Sequence, residues 1–140
     1  MLEPRDHLAI EELYSRYNRA SDSGDVAELA DKYTEDGVFI GAGGVRVEGR
    51  AAFRAYMQER VAARARSGIR FQQHWITNLI LEGDAQAATG FCYVVVIDEK
   101  VEGGTGVRNL GYYHDQLRKE GEKWLFERRE YRPEPLPACT

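Results

Sequence analysis

The chain has 140 residues and a mass of 15.9 kDa, enough for one domain that buries about two thirds of the surface its unfolded form exposes. Hydrophobic residues at 43% and charged residues at 30% argue against extensive disorder, and a net charge of -4 with a pI near 5.4 offers no basic field for nucleic acid. No apolar stretch approaches the roughly 20 residues of a membrane span and the charged N-terminus does not resemble a signal peptide, so a cytoplasmic protein without membrane or nucleic-acid partners is expected.

In chain order, Leu8, Ile10, Leu13, Tyr14 and Tyr17 recur at helical spacing behind Pro4, and Asp6 suits the positive end of the helix dipole. An amphipathic helix is predicted over residues 5–21. The cluster Ser21, Asp22, Ser23, Gly24 reads as a turn, with Asp25 as N-cap of a short helix carrying Val26, Leu29, Ala30 and Tyr33. Gly37-Val-Phe-Ile, then Gly41-Ala-Gly-Gly and Val45-Arg-Val-Glu, read as a hairpin around a glycine-rich turn. Its glycines lack phosphate-loop spacing. Phe53, Tyr56, Met57 and Val61 mark a third helix over residues 50–66, ended by Gly68, and the basic run 60–70 reads as a solvated helix end.

The second half changes period. Residues 71–81, 85–97, 107–117 and 124–131 are rich in β-branched and aromatic side chains, separated by turn residues, and predict a four-stranded antiparallel meander. Helices first and a curved sheet afterwards make an α+β arrangement. Neither an internal repeat nor a dividing linker is visible, so residues 1–140 are expected to form one domain. Cys92 reads as a small buried hydrophobe and Cys139 lies near the end, which does not support a disulfide framework. His7, His74 and His114 lack metal-ligand spacing, and no metal or other cofactor is expected.

The order of elements, with Tyr17-Asn-Arg-Ala-Ser-Asp22-Ser-Gly-Asp25, Tyr33-Thr-Glu-Asp36-Gly, His74-Trp-Ile-Thr-Asn78, Gly83-Asp84-Ala85-Gln-Ala87 and Trp124-Leu-Phe-Glu-Arg128-Arg129, resembles the SnoaL-like branch of the nuclear transport factor 2-like superfamily over nearly the whole chain. That resemblance implies a cystatin-like cone, in which a curved, mixed but mostly antiparallel sheet and three helices from the N-terminal half enclose a ligand cavity. In site pattern the chain is most similar to scytalone dehydratase, hexachlorocyclohexane dehydrochlorinase and bile acid 7α-dehydratase, cofactor-free eliminating enzymes whose Asp and His dyad matches Asp22 and His74. By the same resemblance Tyr17 matches a Tyr or Lys that acts on the substrate, and Arg129 matches the dehydrochlorinase arginine. The departures count as well. Phe91, Cys92 and Tyr93 stand where scytalone dehydratase has a second histidine, the hairpin lacks the carboxylate of ketosteroid isomerases, and the Asp-Arg-Asp set of limonene epoxide hydrolase is missing.

The residue types fit proton transfer. An imidazole titrates near neutrality, so His74 can take a proton from carbon or oxygen and return it, while Asp22 would fix its tautomer and stabilise the imidazolium. Tyr17 can donate through its phenol and Arg129 can supply fixed positive charge. Strict alternation from Trp124 and Phe126 instead puts Arg128 on their face, so which arginine enters the pocket stays open. Period two also places His74, Ile76, Asn78 and Ile80 together, making Asn78 a substrate-binding candidate with Phe39, Tyr56, Tyr93 and Tyr113.

A lyase or isomerase acting on a hydrophobic, oxygenated small molecule is the expected function. The alternatives are polyketide cyclisation through an aldol step and ligand binding without chemistry. Phe71, Trp75, Leu79 and Leu81 share the opposite parity, an apolar-rich face that predicts a homo-oligomer, with the trimer of dyad-bearing relatives favoured over a dimer.

Overall fold

A computed structural model describes residues 1–133 of the chain. Helix α1 spans Pro4–Ser23, α2 Val26–Ala30 and α3 Arg50–Arg66. Strands β1 (Tyr33–Ile40), β2 (Arg46–Glu48), β3 (Ile69–Gly83), β4 (Ala87–Lys100), β5 (Thr105–Glu120) and β6 (Lys123–Pro133) form one open sheet in the order β2-β1-β6-β5-β4-β3. β1 runs parallel to β6 and all other neighbours are antiparallel. This is the expected α+β arrangement of a mixed, mostly antiparallel sheet with three helices.

α1 begins at Pro4, whose missing N–H is no loss in a first turn. It ends later than its periodicity predicts: Gly24 takes the left-handed conformation (φ 76°) and the Asp25 N–H bonds back to the Ala20 carbonyl at 3.0 Å. Asp22 therefore lies in the last helical turn, not in a loop. Asp25 caps α2 by accepting from the Glu28 N–H at 3.1 Å, as its position predicts. Asp6 does more than favour a helix dipole. It is buried and accepts from Lys119 Nζ and Trp124 Nε1, both at 2.9 Å, which fastens the start of α1 to β5 and β6.

One apolar cluster lies between α1 and the inner face of the sheet, built from Ile10, Leu13, Tyr14, Tyr17, Cys92, Val94, Leu117, Trp124 and Phe126. β4 shows regular alternation, with Ala88, Gly90, Cys92, Val94, Val96 and Asp98 buried inward. Cys92 carries no disulfide, and burial pushes its thiol up to about 12. Cys139 lies outside the described residues.

The pairing register shifts at five places in the sheet, and three of these shifts bear on which side chains face inward. In β3 the register shifts between Thr77 and Ile80, where Asn78 adopts φ 57°. Beyond that bulge Leu79 and Leu81 turn in against the core while Ile80 is exposed. In β6 Arg128 pairs with Gln116 but Phe126 with Leu117, so Glu127 is the extra residue and Arg129 turns inward. In β5 Asn109 pairs with Val96 and Val107 with Ile97, leaving Arg108 as the extra residue. Among the described residues no helix is long and apolar enough to cross a membrane.

Candidate active site

A cavity of about 220 Å³ opens between the inner face of the sheet and helices α1 and α3. Its aromatic and apolar wall includes Tyr17 of α1, Phe39 of β1, Tyr56, Met57 and Val61 of α3, and Tyr113 of β5. His74 enters from β3. There Gln72, His74 and Ile76 point inward, and the last turn of α1 crosses the strand.

Asp22 holds His74 from two directions. Its Oδ1 lies 2.6 Å from His74 Nδ1, and both carboxylate oxygens accept from the His74 backbone N–H at 3.1 Å. Ring and backbone are thus fixed by one carboxylate. With the Nδ1 proton directed at Asp22, Nε2 carries the free lone pair and has no partner among the described residues. The His74 side chain is only 14% exposed, so the pair is sheltered from bulk water without being sealed. Arg64 secures the helix end that carries Asp22, because its Nη1 and Nη2 donate to the carbonyls of Ser21 (3.1 Å) and Asp22 (3.4 Å). A cation at a helix C-terminus also meets the negative end of the dipole.

Behind the cavity wall sits a buried charge. Arg129 has no solvent exposure, its Nε is 3.3 Å from Asp115 Oδ1, and none of its nitrogens makes a well-formed hydrogen bond among the described residues. Instead, aromatic faces surround it, with the guanidinium carbon 3.5 Å from the Tyr113 ring centre, 4.4 Å from Tyr17, 4.5 Å from Phe126 and 5.0 Å from Tyr14. Burial works to lower its pKa, but Asp115 and the tyrosines outweigh burial and raise it, so the guanidinium stays charged. Burial pushes Asp115 up to about 6 against the pull of Arg129 and of the Tyr14 hydroxyl that donates to it. The Tyr17 and Tyr113 phenols are also raised by burial, with Arg129 pulling the other way, and both remain protonated donors. Tyr17 Oη lies 3.2 Å from Tyr33 Oη.

The family follows from the whole chain: a SnoaL-like domain model matches residues 3–130. The chain belongs to the SnoaL-like family. Solved structures share its fold. It resembles a variant of a Mycobacterium tuberculosis protein of unknown function with a TM-score of 0.83 at 31% identity, covering 96% of this chain and 79% of that one. An NTF2-like protein with a cystatin-like fold from Novosphingobium aromaticivorans gives a TM-score of 0.78 at 29% identity, covering 91% and 80%. A structure from the same organism, named as a candidate scytalone dehydratase, gives 0.79 at 24% identity over 93% and 85%, a likeness of fold alone. No curated protein matches the sequence.

In this SnoaL-like protein the predicted residues separate into three groups. His74, Tyr17, Phe39, Tyr56 and Tyr113 line the cavity, and Asp22 stands behind His74. Arg129, not Arg128, turns inward, but it lies beneath Tyr17 and Tyr113 instead of in the wall. Asn78 and Tyr93 are corrections. Asn78 is carried away by the bulge, hydrogen-bonded to the Thr77 hydroxyl and exposed, and Tyr93 has the outward parity of β4, where its ring meets Phe91. The basic run is largely exposed, as expected of a solvated helix end, but Arg64 is half-buried and both it and the exposed Arg60 border the cavity. Arg108 and Asn109 join them through the β5 bulge. A signal for the first two was present, because Phe53, Met57, Arg60 and Arg64 recur at i, i+4, i+7 and i+11, a single helical stripe. Asp115 shares inward parity with Tyr113 and Leu117, a signal equally available.

Proposed function

We propose that this SnoaL-like protein is a cofactor-independent lyase or isomerase that moves a proton on a hydrophobic, oxygenated small molecule. The observation that carries the reading is the clamp of Asp22 on both the ring and the backbone of His74, with Nε2 left free at the wall of a mainly apolar cavity. Nε2 takes the proton from a carbon next to a carbonyl, or from a hydroxyl. The imidazolium is held by Asp22, and the proton returns at another atom or leaves with a hydroxide as water. Tyr17 and Tyr113 supply phenol donors to the developing oxyanion. Arg129 acts through them as a positioning residue, its charge lying 4.4 and 3.5 Å behind their rings. An aldol cyclisation would use the same two proton transfers, but a cavity of about 220 Å³ favours a compact substrate over an extended polyketide chain. The assembly we propose is a homo-oligomer, a trimer, formed through the exposed apolar outer face of the sheet.

The test uses 2-tetralone, a bicyclic ketone with acidic carbon-bound protons. The wild type in deuterated buffer should exchange those protons faster than buffer alone, read by proton NMR. His74→Gln should lose about a hundredfold or more of that rate, as loss of a general base typically does, with unchanged circular dichroism. An exchange rate that ignores this substitution removes His74 from the mechanism.

A further inference from the structure

The cavity has a second character that the dyad does not use. Arg60, Arg64 and Arg108 all line it, and no described lining residue is a carboxylate. This is unexpected in a chain whose net charge is -4. The two helical arginines occupy the stripe of α3 that begins with Phe53 and Met57, where apolar side chains would ordinarily continue to face the sheet. Arg108 faces the same space only because a β-bulge redirects it.

Their partners leave a surplus of positive charge. Arg108 Nε is 2.5 Å from Asp98 Oδ2, so that pair is neutral, and the Asp98 side chain is only 11% exposed. Arg64 spends its donors on the uncharged carbonyls of Ser21 and Asp22. Arg60 makes no ion pair or hydrogen bond among the described residues. The Asp22 carboxylate, hydrogen-bonded to His74, also acts on the Arg64 guanidinium as an opposite charge. The guanidinium of Arg60, a solvent-exposed residue, therefore borders the cavity without a counter-charge, beside a wall of Phe39, Tyr56, Met57 and Val61.

We infer that the cavity takes an organic anion, a compact aromatic or alicyclic carboxylate whose ring packs on the apolar wall and whose carboxylate is held by Arg60 and by the Nη groups of Arg108, whose bond to Asp98 uses Nε alone. This names the substrate class for the reading above and rests on it. Guanidinium forks bind carboxylates and phosphates alike. The carboxylate is favoured because the helix ends near this wall are C-terminal, α1 at Ser21 and α3 from Arg60 onward, and their carbonyl poles disfavour the dianion of a phosphate monoester. At about 220 Å³ the space lies below the roughly 300–1,000 Å³ typical of ligand pockets, which limits the ligand to one or two rings.

The experiment is calorimetric titration of the full chain with 2-naphthoate, its neutral counterpart 2-naphthamide, and 2-naphthyl phosphate. Naphthoate should bind at least about tenfold more tightly than the amide, the gain expected of a charge-assisted contact. In Arg60→Gln/Arg108→Gln the two affinities should converge to within about twofold, with amide binding unchanged as the control for an intact cavity. His74→Gln should keep the naphthoate preference, which separates this inference from the proton-transfer reading tested by tetralone exchange. Equal binding of acid and amide, a preference that survives loss of both arginines or disappears with His74, tighter binding of the phosphate, or no binding by any probe would each overturn it.

Discussion

Asp115 and Arg129 show how much a single buried pair governs here. Neither side chain has solvent exposure, and each has buried polar atoms left without a well-formed hydrogen bond. Replacing Asp115 by Asn should leave the guanidinium without its counter-charge and cost about 3–5 kcal/mol, read by urea denaturation at pH 7. The same carboxyl makes a pH-dependent contribution. Burial raises it from the ordinary carboxyl value to about 6, so the folded chain binds this proton more tightly than the unfolded one. Its contribution to stability is full below about pH 4, where an unfolded aspartate titrates, and is lost as the pH rises through about 6. The stability gap between wild type and Asp115→Asn should therefore be larger at pH 4 than at pH 7. Cys92 offers a simpler check. Fully buried and held up to about 12, its thiol should resist Ellman's reagent in native Cys139→Ser protein and react promptly in denaturant.

At the scale of elements, the bulges set which residues reach the cavity. The β3 bulge depends on a left-handed Asn78 (φ 57°), a conformation that Asn tolerates and a β-branched residue does not. Asn78→Val should cost about 1–2 kcal/mol in thermal or urea melts, whereas Asn78→Gly should be close to neutral. The contact of α1 with β4 is equally specific. A Cβ on Gly90 would sit 2.2 Å from the hydroxyl of the fully buried Tyr14 and 3.3 Å from Leu81 Cδ2. Gly90→Ala should displace the Tyr14 hydroxyl from Asp115 and cost about 1–3 kcal/mol, the usual range for overpacking. Helix periodicity made α1 and α3 legible in advance, because their apolar stripes depend only on local spacing. The end of α1 was harder to read, since Ser-Asp-Ser-Gly is compatible both with a turn and with a final helical turn closed by glycine.

For the whole molecule, the outer face of the sheet bears on the proposed assembly. Trp75 and Leu110 are 54% and 58% exposed, with Phe71, Ile80 and Val107 also uncovered, and a face of this kind is a common self-association surface. Trp75→Glu/Leu110→Glu should convert an oligomer to monomer in sedimentation velocity; a wild type that already sediments as a monomer would refute the assembly. The amino-acid order by itself determined the helices, the meander and the residue types of the dyad, because hydrophobic period and turn chemistry are local properties. It also carried the family resemblance that marked Asp22, His74 and Tyr17. Only the tertiary structure decided that Asn78 and Tyr93 turn away, that Arg129 lies behind the wall, and that Arg60, Arg64 and Arg108 face the cavity. The physical reason is that a strand's facing has period two, so one extra residue reverses every side chain beyond it. Where that extra residue falls is set by pairing with a neighbouring strand.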